Sequence, residues 1–352
     1  MKADVLIIGA GPAGLTAAYE VAKTGLCVLI IDEHQQAGGQ LWQQNQMLAL
    51  PDTFPNMRGF ELAQFLVERL EGLAVEWLLG HRVIGVYEDG QIGVTNDKDV
   101  FPVFAEKIII ATGAAENAIP FPKWTLPGVM TIGAAQSVVN RDRVKPGSSA
   151  LIYGDNSFAS DVCELLLSVE VNIVAIVKQN KQLGNPTFRD MNIPLYENSS
   201  IMEARGNGKL EEIDIQTPHG MITLKPDIVL IDGGQSPILD IVYQLDCALR
   251  YQAELGGWLP VYNHQLQTSK DHVYVTGNAA GVSNHSALIL TGMLAAASVC
   301  EALQSLPPEE TEVLRNSLYS KLENEEESDT FSARKEHIKQ FSTPQLKDQF
   351  IF

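Results

Sequence analysis

The chain has 352 residues, 45% of them hydrophobic and 19% charged, with 25 basic against 43 acidic side chains and a formal net charge of −18. That size and composition predict an ordinary globular enzyme of two domains with a substantial core, and the acidic balance argues against nucleic acid or an anionic membrane as partner. The four cysteines, Cys27, Cys163, Cys247 and Cys300, lie far apart with no C-x-x-C pair and no zinc spacing, so free thiols in a reducing compartment are expected. No basic leader precedes the apolar N-terminus, and no uninterrupted apolar run is long enough to cross a bilayer; a cytoplasmic protein is expected.

The chain opens with a buried parallel strand, Val5 to Ile8, followed by Gly9-Ala10-Gly11-Pro12-Ala13-Gly14 at G-x-G-x-x-G spacing. Leu15, Ala18, Val21 and Ala22 then recur at helical intervals up to Gly25, and a second apolar run, Cys27 to Ile31, ends in Asp32. Strand, glycines, helix, strand and acid in that order form the dinucleotide-binding fingerprint. Gly9 permits the tight turn, Gly11 lets backbone N–H groups approach a pyrophosphate, and Gly14 lets helix and strand pack closely. Asp32 accepts from ribose hydroxyls.

Further on, Glu33 leads to Gly38-Gly39-Gln40, and residues 57–72 read as an amphipathic helix with Phe60, Leu62, Phe65, Leu66 and Leu70 inward. Short β segments follow at Val75–Leu79, Arg82–Glu88 with a turn at Asp89-Gly90, and Ile92–Thr95. A buried strand from Lys107 ends on Ala111-Thr112-Gly113, a small triplet that lets backbone pass close to a cofactor, before the stiff connector marked by Pro120, Pro122 and Pro127. A second βαβ pattern begins at Ser148, with strand Ala150–Tyr153, a helix to about Val169 and strand Asn172–Val177. More β segments lie between Ser200 and Leu224. Asp227–Ile231 ends in Asp232-Gly233-Gly234, and residues 272–277 form a last strand leading through Asn278 to an apolar helix, Ala287–Leu303.

The fold class expected is α/β: two Rossmann-like dinucleotide-binding domains, the second inserted in the first. The first is placed at 1–117 plus 240–305 and the second at 118–239; residues 306–352, with the cluster Glu323 to Asp329, are expected to form a charged, solvated helix or tail.

Gly9/Gly11/Gly14 with Asp32, Gly38-Gly39-Gln40, Ala111-Thr112-Gly113 and Thr276-Gly277-Asn278 resemble the glutathione-reductase-type flavoproteins of the pyridine nucleotide–disulfide oxidoreductase superfamily. The segments Pro120–Gln136 and Gly256–Pro260 narrow the resemblance to the FAD-binding α-type subunits of heteromeric amine dehydrogenases and oxidases. These are subunits of opine oxidase, hydrogen cyanide synthase, dye-linked proline or hydroxyproline dehydrogenase, and part of the sarcosine oxidase α chain. The resemblance implies non-covalent FAD, with Gly9, Gly11, Pro12, Ala13 and Gly14 at the pyrophosphate and Asp32 and Glu33 at the adenosine ribose. It implies Val83 backbone at adenine, and Gly39, Gln40, Ala111, Thr112 and Gly113 along the cofactor. Gly277 and Asn278 would sit at the ribityl and pyrophosphate end. The helix start at Ser286 and Ala287 would face the flavin pyrimidine and stabilise its reduced, anionic form. His285 is a candidate acid or helix cap.

Three departures from the family pattern shape the function expected. No redox cysteine pair faces the flavin, which excludes disulfide reduction. The second turn reads Gly154-Asp155-Asn156-Ser157-Phe158-Ala159, two glycines short and with a carboxylate beside the pyrophosphate position, and the next strand ends Val177-Lys178 without a ribose-binding acid. NAD(P) binding is therefore doubtful, although Lys178 or Lys181 leave room for another nucleotide. No cysteine follows Cys300, so any iron–sulfur cluster would belong to a separate small subunit. The resemblance thus implies an electron-transferring FAD subunit of an amino- or imino-acid dehydrogenase or oxidase, partnered by a second, catalytic flavoprotein subunit. Two alternatives stay open: a stand-alone NAD(P)H-dependent flavin oxidoreductase, and a non-catalytic FAD-containing assembly subunit. No catalytic side chain and no metal site is identifiable.

Overall fold

The computed structural model describes residues 1–87, 90–179 and 191–342. The chain divides into two compact units, Met1–Ala115 with Ser236–Phe352, and Glu116–Gln235.

In the first unit β1 (Lys2–Ile8), α1 (Pro12–Ala22) and β2 (Val28–Asp32) form the expected crossover, and β1 and β2 pair in parallel from Val5↔Val28 to Ile8↔Ile31. After α2 (Gly59–Glu68) come β3 (Val75–Leu79), β4 (Arg82–Val86), β5 (Ile92–Thr95) and β6 (Val100–Ile110). The sheet order is β3-β2-β1-β6-β5-β4, with Val273–Val275 paired to β6 as well. The strand predicted from Lys107 is thus only the second half of β6. Its first half, Val100–Val103, pairs antiparallel with β5, while Phe104–Ile110 runs parallel to β1. Val5, Leu6, Ile7, Ile30, Ile109 and Ile110 are fully buried, as strands covered on both faces require. Glu88 and Asp89, where the strand after Arg82 was expected to end and turn, lie outside the described residues.

The long helix His285–Ala302 crosses α1 closely: a side chain at Gly292 would stand 2.6 Å from the Ala13 carbonyl oxygen. By length and composition this helix is apolar enough to cross a membrane, although polar residues interrupt its apolar run; in the structure 78% of it is buried inside the protein.

The acidic C-terminal stretch departs from expectation. It is not a solvated appendage. It forms two helices, Pro308–Glu325 and Ser328–Lys339, that bury Leu318, Leu322, Phe331 and Ala333 in the same core as the first sheet. The apolar residues are too few and too widely spaced among charges to register as an amphipathic stripe, and much of the docking runs through buried polar groups instead. Residues 343–352 lie outside the described part.

In the second unit a parallel sheet runs in the order Leu195–Tyr196, Asn172–Val177, Ser149–Tyr153, Ile228–Ile231, Val129–Thr131. Helix Ser157–Ser168 follows the strand Ser149–Tyr153, and an antiparallel three-stranded sheet spans Ser200–Leu224. Two apolar clusters fill it, one centred on Ile152, Val162 and Leu230, the other on Leu151, Ile213 and Val229.

Candidate functional site, a dinucleotide cradle

The turn after β1 is built by backbone contacts that only glycine permits. Gly9 has φ +110°, and a Cβ there would stand 2.2 Å from the Ala111 carbonyl oxygen; a Cβ at Gly14 would stand 2.0 Å from the Gly9 oxygen. Ala111 is held to β1 by its N–H donating to the Ile8 carbonyl at 2.8 Å. Gly11 is different. Its φ of −78° suits any residue, and a Cβ added to it meets nothing within 4 Å among the described residues. Neither backbone geometry nor packing explains glycine here, whereas a ligand lying over the turn does. Gly11 caps α1 without a side-chain hydrogen bond and Pro12 follows at the first helical position. The positive end of the helix dipole therefore lies at a position where a Cβ would have clear space.

Asp32 ends β2 with its side chain only 10% exposed. Its Oδ2 accepts the Ala10 N–H at 2.7 Å and its Oδ1 the His34 N–H at 2.8 Å, so the carboxylate also braces the turn. Oδ2 keeps a second lone pair for a ribose hydroxyl, while Oδ1 also lies 3.3 Å from His34 Nδ1. The Gly38 N–H donates to the Ala10 carbonyl at 2.7 Å, and a Cβ at Gly39 would stand 3.0 Å from Gly11 Cα; the Gly-Gly segment thus folds back onto the turn. Gln40 Nε2 donates to the Ala114 carbonyl at 3.2 Å and Thr112 Oγ1 to the Ile238 carbonyl at 3.1 Å, tying down the strip that Gly113 ends. A Cβ at Gly277 would lie 2.7 Å from Ala13 Cβ. Gly9, Gly11, Ala13, Gly14, Asp32, Gly39, Ala111 and Gly277 are therefore brought together. Glu33 is exposed, and Val83 sits in the β4–β5 ladder two residues past His81, whose N–H donates to the Asp32 carbonyl at 2.9 Å.

At the other end of the strip, Asn278 Oδ1 accepts the Ser283 N–H at 3.1 Å. The long helix is capped by Asn284, whose Oδ1 accepts the Ala287 N–H at 2.9 Å. That N–H is not left open for the flavin, as the family resemblance implied, and His285 is not the cap. Burial pushes the His285 imidazole down to about 4, so it is neutral near pH 7 and carries no ready proton to donate as an acid. Ser286 is buried and its Oγ donates to the Ala49 carbonyl at 3.2 Å. Sequence reasoning missed Asn284 and Gly292. An Asn followed by an apolar helical run, and a glycine in mid-helix, were the signals present.

The second unit repeats the backbone of the cradle with inverted chemistry. Gly154 has φ +128°, and a Cβ there would stand 2.2 Å from the Asp232 carbonyl oxygen, as at Gly9. The position of Gly11 is taken by Asn156, whose N–H donates to the buried Asp232 Oδ2 at 2.7 Å. Burial pushes the Asp232 carboxyl up, against hydrogen bonds from Asn156 that favour its charge. Lys178 stands where Asp32 does in the first unit. It is 2% exposed and pairs with Asp155 at 3.1 Å and Glu197 at 3.5 Å. The helix start thus already holds a carboxylate, and the lysine is already neutralised; these residues do not fit a dinucleotide pyrophosphate. Lys181 lies outside the described residues. Among the described residues no group of three or more His, Cys, Asp and Glu could hold a metal.

The sequence profile of the pyridine nucleotide-disulphide oxidoreductase family matches residues 3–302. The chain belongs to this family. Membership implies FAD binding and oxidoreductase chemistry, and the cradle of the first unit fits that cofactor. The chain is 27% identical to one of the subunits of opine oxidase from Agrobacterium tumefaciens, over 83% of its own length and 64% of the relative's. It is 26% identical to hydrogen cyanide synthase subunit HcnB of Pseudomonas aeruginosa, covering 92% of this chain and 76% of HcnB. The structure of L-proline dehydrogenase from P. horikoshii superposes with a TM-score of 0.72 at 25% identity, over 90% of this chain and 59% of that one. The chain thus spans less than two thirds of the opine oxidase relative and of the proline dehydrogenase chain.

Proposed function

We propose that this chain is the FAD-carrying, electron-transferring subunit of a cytoplasmic heteromeric dehydrogenase or oxidase acting on amino or imino acids such as proline, hydroxyproline, sarcosine or opines. Substrate is oxidised on a separate flavoprotein subunit, and a small iron–sulfur subunit is a further partner. The observation that carries the flavin half is Gly11, a glycine that neither φ nor packing requires, at the open start of α1. The cradle residues from Gly9 to Gly277 named above would hold the cofactor non-covalently. When bound, FAD supplies the redox chemistry, and the chain's own groups bind, orient and electrostatically bias it. The subunit half is supported by relatives that are themselves named as subunits, and by the amino-acid substrate in the name of the proline dehydrogenase.

The neutralised second turn favours this reading over a stand-alone NAD(P)H-dependent reductase. The test has two arms. Anaerobic mixing with micromolar NADH or NADPH is expected to leave the bound flavin oxidised; rapid bleaching overturns the reading in favour of the reductase. The isolated chain, assayed with proline, hydroxyproline, sarcosine and opines against an artificial dye, is expected to be inactive until a partner flavoprotein subunit is added. Robust turnover by the chain alone would put the substrate site on this polypeptide. A complex that turns over while this flavin stays oxidised would give the chain an assembly role.

A further inference from the structure

The corner between the two C-terminal helices reaches into the first unit beside the proposed flavin end of the cradle. Arg334 is 1% exposed and forms a bidentate pair with the fully buried Glu326: Nη2 to Oε1 at 2.7 Å and Nε to Oε2 at 3.1 Å. Its remaining nitrogen, Nη1, donates to the Ala280 carbonyl at 2.8 Å and to the Tyr262 hydroxyl at 3.0 Å. The Tyr262 hydroxyl donates to that same Ala280 carbonyl at 2.7 Å. Ala280 ends the short turn Gly277–Ala280. Four residues on, Asn284 Nδ2 donates to the Glu325 carbonyl at 2.6 Å, next to the same corner. Between these anchors the Val282 N–H donates to the Leu255 carbonyl at 2.9 Å. The segment joining Gly277-Asn278 to Ser286-Ala287 is therefore pinned at both ends by the corner of the hairpin.

A buried ion pair gives little net stability over an apolar pair of similar volume, because desolvation offsets the attraction. An apolar pair, however, has no donor to aim at the Ala280 carbonyl. We propose that the C-terminal hairpin is a clamp that holds residues 277–287 in the arrangement that receives the flavin, with Arg334 as its positioning residue. This rests on the reading that the first unit binds FAD.

The test compares the parent, Arg334→Met/Glu326→Leu and Asn284→Ser as whole chains stripped of cofactor. The double change removes the clamp donor without leaving a lone buried charge. Asn284→Ser keeps a capping oxygen but loses the reach to the Glu325 carbonyl, and it covers the case in which the double variant does not fold. Each is followed by thermal melting of the apoprotein, by titration with FAD, and by the visible circular dichroism and midpoint potential of the bound flavin. If the pinned arrangement falls to about a tenth of the population, the apparent FAD dissociation constant rises about tenfold. The expected result is that rise, with an altered flavin dichroism and potential, in a variant whose apoprotein melts within a few degrees of the parent. A folded variant that binds FAD with the parent's affinity, dichroism and potential overturns the clamp. A parent that binds no FAD overturns the flavin reading itself, and the clamp with it.

Discussion

His337 offers a quantitative test of how the C-terminal hairpin is built. Its side chain is fully buried on the last helix, with Nε2 3.0 Å from the Pro260 carbonyl and its ring 4.6 Å from that of Tyr262. Nε2–H must therefore be the donor, and the buried Nδ1 has no hydrogen-bond partner among the described residues. Burial, and then the positive charges of Arg250 and Arg334, push the imidazole down to about 4 from 6.5, although the Pro260 carbonyl works in the opposite direction. The sign follows from linkage. A group whose folded pKa is depressed below its unfolded value lets the unfolded chain take up the proton first, so stability is lost as pH falls from about 6.5 toward 4. At pH 5 the unfolded imidazole is almost fully protonated and the folded one is not, which amounts to about 2 kcal/mol. His337→Gln keeps a donor for Pro260 and removes the titration. Urea unfolding at pH 7.5 and pH 5.0 should show the parent losing about 2 kcal/mol more than the variant over that interval. Other groups, His285 among them, titrate in both proteins and cancel. Equal losses would refute the argument that this imidazole is held neutral.

Within the cradle, Gly11→Ala should leave the apoprotein's melting temperature unchanged yet abolish most FAD binding. Gly14→Ala, with its methyl forced against the Gly9 oxygen, should destabilise the apoprotein by about 1–3 kcal/mol; melting and FAD titration of both variants check this. In the second unit, Asp155→Ala removes a partner of a buried lysine and should cost about 1–3 kcal/mol in denaturant unfolding, much of it recovered by adding Lys178→Met. Cys27 is exposed while Cys163, Cys247 and Cys300 are buried, and burial pushes Cys163 up to about 12; brief alkylation of the native protein should label Cys27 alone by peptide mass spectrometry.

The parts of the fold legible in the sequence were those governed by local pattern. Val5 to Asp32 carries strand, turn, helix and acid within a few tens of residues, and each signal is strong by itself. The strand Val100–Ile110 was read only in its second half, because Pro102, Glu106 and Lys107 break the apolar run and its first half is defined by pairing with β5 rather than by composition. The hairpin was missed for a related reason. Arg334 and Glu326 look like surface charges in any window of sequence, and only the distant Tyr262 and Ala280 make them interior. Lys178 was seen as a missing acid, but not as half of an ion pair with Asp155, since the two are separated by a whole helix and strand.

Comparing the two turns sharpens what each glycine of such a motif reports. Gly9 and Gly154 share a positive φ, the same approach to the carbonyl of the neighbouring strand end, and an N–H donated to a carbonyl at the end of the second strand just before Asp32 or Lys178, at 2.8 Å to Ile31 and 2.9 Å to Val177. The first glycine is thus a requirement of the βαβ turn itself and persists where the phosphate-binding features do not. Gly14 has Ala159, fully buried, as its counterpart, so that position accommodates a methyl in the second unit. Only the middle position changes from Gly11 to Asn156 without any steric reason in the chain, and it does so together with Asp232 filling the helix start and Lys178 replacing the ribose acid. These substitutions are mutually consistent. Once an internal carboxylate takes the N–H and the side-chain amide of the capping residue, a pyrophosphate gains little there, and glycine in the middle position no longer serves a purpose. It follows that the middle glycine is the one whose presence reports a ligand, which is why Gly11 carries more weight than the motif as a whole.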